Sequence, residues 1–249
     1  MFFDAHTHLG LHVAVDDKGL ADWLATWTQF GVTHGAVFPM DGLMSDSRVR
    51  QNNDEVAAAC ARSGGRMLPF CTVNPNFGAD ALAEFRRCLE TLGCRGLKLH
   101  PWLQGIGPNS KEVDALCELA GEFHVPVLFH DGTPCFSLPS QMALLARRHP
   151  QTTIILGHCG LFEHWREAID AMHYADNVWG CLCSPHLAAH RELVARADKR
   201  RLLWGSDHGF GSIDQVVYRT GLFRLLDLGD DDRDAIVHRN PARLFGLAA

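Results

Sequence analysis

The chain has 249 residues, 47% of them hydrophobic and 21% charged, with a formal net charge of −6 and a pI near 6.2. It can bury a full core without disulfides and matches the length of one (β/α)8 barrel. The acidic balance argues against nucleic acid or an anionic membrane as the main partner. No apolar run reaches the length of a membrane span, and the opening MFFDAHTHLG lacks the basic and long apolar regions of a signal peptide.

Eight short apolar runs stand out: Phe2–Ala5, Val32–Phe38, Met67–Val73, Gly96–Leu99, Val125–Phe129, Thr153–Leu156, Val178–Leu182 and Leu202–Trp204. They lack clean polar alternation, as suits parallel strands buried on both faces. Amphipathic stretches at 19–30, 51–63, 79–92, 111–123, 138–148, 161–173, 187–197 and 213–227 fall between or after them and are predicted as helices. Strand–helix alternation with right-handed crossovers, eight times over, predicts a closed α/β barrel of the TIM type. Residues 230–246 are surplus to this pattern: three aspartates at a predicted helix start suit the helix dipole, and Asn240–Phe245 reads as a closing helical turn.

The first run ends in Asp4-Ala5-His6-Thr7-His8. Residues i and i+2 of a strand share a side, so two imidazoles can meet one ion, or can simply be two surface histidines. Neutral imidazole nitrogens bind zinc and similar ions at about 2.0–2.1 Å. In the fourth run, Leu97 and Leu99 share one face and Lys98 and His100 the other; if the leucines meet helices, Lys98 and His100 face the barrel interior. Buried lysine is costly unless paired or functional, although its stem can also snorkel to the mouth. Trp102 follows and can line a pocket or serve packing. The fifth run ends at His130-Asp131-Gly132, and the sixth at Gly157-His158-Cys159-Gly160, whose glycines permit close backbone approach. After the eighth run comes Gly205-Ser206-Asp207-His208-Gly209. A carboxylate there can be a metal ligand, a general base, both in turn, or part of a plain turn. His6, His8, His130, His158 and Asp207 all fall just after predicted strands, where barrel enzymes keep their chemistry.

The order DAHTHLG, GLKLHP, PVLFHDG, GHCG, GSDHG and NPARLFGL, running from Asp4 to Leu247, resembles the amidohydrolase superfamily, and within it the branch containing aminocarboxymuconate-semialdehyde decarboxylase-like enzymes. The resemblance implies one metal-dependent barrel domain over residues 1–249, with His6, His8, His130 and Asp207 as ligands. It implies that His158 binds metal or polarises the substrate or the attacking water. In some superfamily members a lysine at the Lys98 position is carboxylated and bridges two metals; the branch resemblance favours one ion, with Lys98, His100 and Trp102 near the substrate. Three imidazoles and a carboxylate suit Zn2+, while Mn2+, Fe2+ and Co2+ accept the same donors.

The leading expectation is hydrolysis of a small ester, lactone or amide by a metal-activated water, with Asp207 moving the proton and His158 stabilising developing charge. Decarboxylation of a small carboxylic acid is the alternative, with Arg48 or Arg50, placed in the loop after the second strand, as a carboxylate clamp. A non-catalytic metal- or ligand-binding barrel is the third reading. Segments 39–50 and 101–110 are the expected specificity elements. Cys135, Cys159 and Cys183 lie near strand ends without a paired base, so cysteine nucleophile chemistry is a minor expectation. The nine scattered cysteines, without a CxxC pair, suit reduced thiols and a cytoplasmic location. A small-molecule substrate is the expected partner, with a homodimer as the default assembly.

Overall fold

The computed structural model describes residues 1–9, 16–39, 46–209 and 214–247. Its strands are β1 (Phe2–Leu9), β2 (Val32–Pro39), β3 (Met67–Pro69), β4 (Cys71–Thr72), β5 (Leu97–Leu99), β6 (Val127–Phe129), β7 (Ile154–Leu156), β8 (Val178–Leu182) and β9 (Leu202–Trp204). The helices are α1 (Asp17–Phe30), α2 (Asp46–Arg62), α3 (Ala79–Glu90), α4 (Pro101–Gln104), α5 (Lys111–Glu122), α6 (Pro139–Arg148), α7 (Trp165–Tyr174), α8 (Leu187–Arg196), α9 (Asp214–Arg224), α10 (Asp230–Asp234) and α11 (Asn240–Leu244). Every strand pair is parallel, in the orders β1-β2-β3 and β4-β5-β6-β7-β8-β9. Among the described residues, no helix is long and apolar enough to cross a membrane.

The predicted third strand is split at Phe70 into β3 and β4. Pro69 has no N–H to give to a ladder, so pairing changes hands there. Phe70 N–H donates to Val37 O at 2.9 Å, whereas Cys71 N–H donates to Gly96 O at 3.1 Å. At the other end of the series, Asp207 N–H donates to His6 O at 2.8 Å and His8 N–H to His208 O at 2.7 Å. These bonds bring the chain's last strand beside its first and produce the expected (β/α)8 barrel.

Alternate strand residues face two cores. Leu97, Leu99, Val127 and Phe129 look outward to helical side chains such as Leu116, Ala120 and Met142. Phe3, Ala5, Phe38, Phe70, Leu128, Ile155 and Leu203 fill the inside. On the outer layer, α1 buries Leu20, Trp23 and Trp27, a three- and four-residue spacing that puts one apolar stripe against the sheet. Each such buried side chain contributes roughly 1.5–3 kcal/mol. Asp16 caps α1 by accepting from Gly19 N–H at 2.8 Å.

Three sequence expectations need correction. The helix expected from residue 161 begins at Trp165, because Gly160 and Leu161 hold φ of 84° and 53°, which no right-handed helix admits. The surplus C-terminal helix is three pieces: α10, a π-helical turn over Ala235–Arg239, and α11, after which Phe245 stacks on Phe3 at 5.3 Å and closes the barrel floor. Arg48 and Arg50 lie on α2, not in a loop. Residues 40–45 of the expected specificity segment 39–50 fall outside the described residues.

Candidate metal centre and cavity

The site starts with an irregularity in β1. Phe3 and Ala5 already face the barrel interior, so strict alternation would send His6 and His8 outward. Between Asp4 and Thr7 the register shifts: Asp4 pairs with Gly35 and Thr7 with Val37, three steps on β1 against two on β2. This β-bulge re-aims the strand. Both imidazoles now pack on the inner ring of Phe38, at 5.3 Å for His6 and 5.5 Å for His8.

Asp4 holds the bulge. Its Oδ1 accepts from His6 N–H at 3.1 Å and Ser206 N–H at 2.9 Å, and its Oδ2 accepts the Ser206 hydroxyl at 2.5 Å. Sequence reading singled out the histidines but not this carboxylate; its place two residues before His6 in a buried run was the available signal. Two glycines let neighbouring strands close on His6. A Cβ at Gly157 would lie 2.5 Å from Phe129 O and 3.1 Å from His6 Cε1, and one at Gly205 would lie 2.8 Å from His6 Cβ.

His6 Nδ1–H donates to Gly157 O at 2.9 Å, which fixes the tautomer and leaves Nε2 with its lone pair. That Nε2 lies 3.5 Å from Asp207 Oδ1, and His8 Nε2 lies 3.2 Å from the same oxygen. One donor atom from each of His6, His8 and Asp207 lies within 4.8 Å of the others, and both imidazoles are buried. Two nitrogens and a carboxylate oxygen at this spacing fit a divalent ion. Asp207 sits at φ 59°, a left-handed conformation that Asp and Asn tolerate better than most residues, and its side chain is 24% exposed. Burial acts to raise its pKa, but the hydrogen bond from His8 and the charges of His158, His8 and Lys98 outweigh it and hold the carboxyl well below its usual range.

His8, Lys98, His100, Trp102, Leu103, His130, His158 and Asp207 line one cavity of about 240 Å3, room for a small molecule only. His130 stacks on His100 at 3.9 Å and meets His158 edge-on at 4.3 Å. Lys98 points inward, as the leucine–lysine alternation predicted, and its Nζ donates to His6 Nε2 at 3.0 Å. Burial pushes Lys98 down to about 8. His100 N–H donates to Gln104 Oε1 at 2.8 Å, so the short helix α4, unforeseen within segment 101–110, anchors His100 and carries half-exposed Trp102 to the mouth.

Asp131 is a second carboxylate the sequence did not single out. It accepts from His158 N–H and Gly160 N–H, both at 2.6 Å, and so positions the loop that bears His158. His158 Nδ1 shares a hydrogen bond of 2.6 Å with Ser184 Oγ. Three sequence candidates fall away from the cavity. Arg50 pairs with Glu84 at 3.1 Å, Arg48 bonds Gln51 at 3.0 Å, and Cys135 is exposed and absent from the lining. Burial pushes the Cys159 and Cys183 thiols well up, which removes the thiolate a nucleophile needs.

The buried imidazoles make metal-free stability depend on pH. Burial lowers His6, His8 and His158 below the usual 6.5, and takes His100 to about 2 and His130 to about 3. The unfolded chain therefore takes protons that the folded chain refuses, and their contribution, intact above 6.5, is lost as pH falls. Asp4 and Asp131, raised by burial to about 7, act oppositely: their contribution is present below 3.8 and lost towards pH 7. The imidazoles outnumber these carboxylates, and each uncompensated group contributes up to about 1.4 kcal/mol per pH unit. The urea midpoint of chelator-treated protein is thus expected to fall from pH 7 to pH 5; an unchanged or rising midpoint contradicts this balance.

The amidohydrolase family model matches residues 3–247, and the chain belongs to this family. It is an enzyme of the metal-dependent amidohydrolase superfamily. Among solved structures of the same fold is 2,6-dihydroxybenzoate decarboxylase from Rhizobium, 17% identical with TM-score 0.75, covering 98% of each chain. A second is dihydroxybenzoic acid decarboxylase from a Polaromonas species with bound manganese, 14% identical with TM-score 0.74, covering 98% of this chain and 96% of that one. A third is 4-oxalomesaconate hydratase from Rhodopseudomonas palustris, 14% identical with TM-score 0.76, covering 99% and 96%. No curated protein matches the chain.

Proposed function

We propose that this protein is a metal-dependent hydrolase acting on a small ester, lactone or amide. One observation carries the reading: the Asp207 carboxylate touches both His6 and His8 and is also open to the cavity that His158 lines. His6, His8, His130 and Asp207 would hold the ion, with Zn2+ the first choice for this donor set and Mn2+, Fe2+ or Co2+ next. When bound, a divalent ion supplies Lewis acidity and makes water acidic enough to act as a nucleophile near neutral pH. Asp207, the ionised group at the cavity, takes the proton of the attacking water and returns it to the leaving group. His158, held by Asp131 and Ser184, faces the substrate oxygen on which charge develops. Lys98, relieved of His6 once that lone pair is engaged, is a cation for a substrate oxygen anion.

Lys98 also favours a second reading, decarboxylation. A buried ammonium at the wall of a small cavity can hold a carboxylate, and decarboxylases are among the proteins of like fold. Metal analysis of the purified chain, with a substrate panel scored for both hydrolysis and CO2 release, separates the readings. We expect one ion per chain that His6→Ala removes, and hydrolytic turnover lost on chelation. CO2 release without hydrolysis overturns the first reading, and a chain that neither holds nor rebinds metal overturns both.

A further inference from the structure

Far from the cavity, three thiols converge on the outer face of the barrel. Cys71 on β4, Cys88 in the last turn of α3 and Cys94 in the connection to β5 place their Sγ atoms within 4.8 Å of one another. Cys71 and Cys88 are fully buried and Cys94 is 4% exposed. Cys94 N–H donates to Cys88 O at 3.1 Å, which folds the connection back on α3, while the Cys71 thiol donates to Gly96 O at 3.5 Å and the Cys88 thiol to Glu84 Oε1 at 3.3 Å.

Cysteine fills cores as a small hydrophobe. Packing alone does not account for the carboxylate beside these thiols. Glu84, one turn before Cys88, has a side chain only 1% exposed, and its Oε1 lies 3.3 Å from Cys88 Sγ. A buried carboxylate is costly unless paired. Glu84 is paired twice, with Arg87 Nε at 2.7 Å and Arg50 Nη1 at 3.1 Å; half-exposed Asp54 shares Arg87 at the rim. Arg50 and Arg87 together balance Glu84 and Asp54, so Glu84 is kept ionised beside three neutral thiols.

We propose that Cys71, Cys88 and Cys94 form a second metal site, for a thiophilic d10 dication of the Zn2+ and Cd2+ class, with Glu84 Oε1 within reach as a fourth donor. Zn–S bonds of about 2.3 Å place tetrahedral sulfurs about 3.8 Å apart, a small contraction of the existing cluster. Each thiol gives its proton to solvent as its sulfur binds the ion, and nothing is oxidised or reduced. The ion ties β4, α3 and the β5 connection together, a structural role separate from the catalytic cavity.

The probe is Cd2+, supplied during expression of the full chain and, in parallel, during its refolding under reductant. Thiolate-to-Cd2+ charge-transfer absorption should report about one ion per chain, with three thiols protected from a thiol reagent. Cys88→Ser and, in the connection, Cys94→Ser should each remove the band and the protection, whereas Cys183→Ser, beside the catalytic histidines, should keep both. A band insensitive to Cys88→Ser and Cys94→Ser, no band after either loading route, or a mass two hydrogens lower from a Cys88–Cys94 disulfide overturns the proposal.

Discussion

Asp207→Asn is expected to keep the fold and lose about 10²–10⁴-fold in kcat/KM, the usual range for removing a positioned acid–base group. Three features make the substitution gentle on structure. Asn has nearly the same volume, tolerates the φ of 59° that Asp207 adopts, and retains the backbone bond from residue 207 to His6 O. Two features make it severe on chemistry. The amide cannot take a proton near neutral pH, and its –NH2 can face the His6 and His8 nitrogens where an anionic oxygen now lies at 3.5 and 3.2 Å. Metal content should fall as well, while the melting temperature stays close to that of the parent. Full turnover in this variant would falsify the role given to Asp207.

The largest stability effect is expected at Asp4. Asp4→Ala leaves His6 N–H, Ser206 N–H and the Ser206 hydroxyl without their acceptor in a region closed to water. Each orphaned donor costs about 1–3 kcal/mol. Relief of the carboxylate's own burial, which pushes its pKa up to about 7, offsets part of this. A loss of about 3–6 kcal/mol remains, and for a chain of this size that lowers Tm by roughly 2–4 °C per kcal/mol. Asp4→Asn keeps one carbonyl acceptor for the two N–H groups and should recover most of the loss. A thermal scan decides: if Asp4→Ala melts within about 3 °C of the parent, Asp4 does not hold the first and last strands together.

Much of this was readable in the sequence because it depends on local pattern. Apolar runs gave the strands, their alternation with amphipathic stretches gave the barrel, and polar groups just after the runs gave the cavity walls. Lys98 was legible because Leu97 and Leu99 flank it. What escaped depends on atoms far apart in the chain. Asp4 and Asp131 act by accepting from Ser206 and Gly160, partners that a linear reading cannot join to them. Arg50 looked like a substrate clamp because its charge is visible in sequence, while its pairing with Glu84, 34 positions on, is not. The split at Phe70 and the late start of α7 arise from proline and left-handed backbone, which hydrophobic periodicity does not report.

The bulge in β1 means that the proposed metal ligands His6 and His8 are out of frame with the first half of the strand that carries them. Up to Ala5 the odd positions look into the barrel; from His6 onward the even ones do. Such a strand behaves like a message with one inserted letter. Deleting Ala5 would remove the doubled inward position and leave Phe3, His6 and His8 facing inward in plain alternation, whereas ironing out the bulge with Ala5 in place would turn His6 and His8 to the helices. The chemistry of this barrel is therefore set by parity as well as by composition. A designer grafting HTH onto another barrel would have to place both histidines at that strand's inward positions, with a bulge only where its frame is off by one.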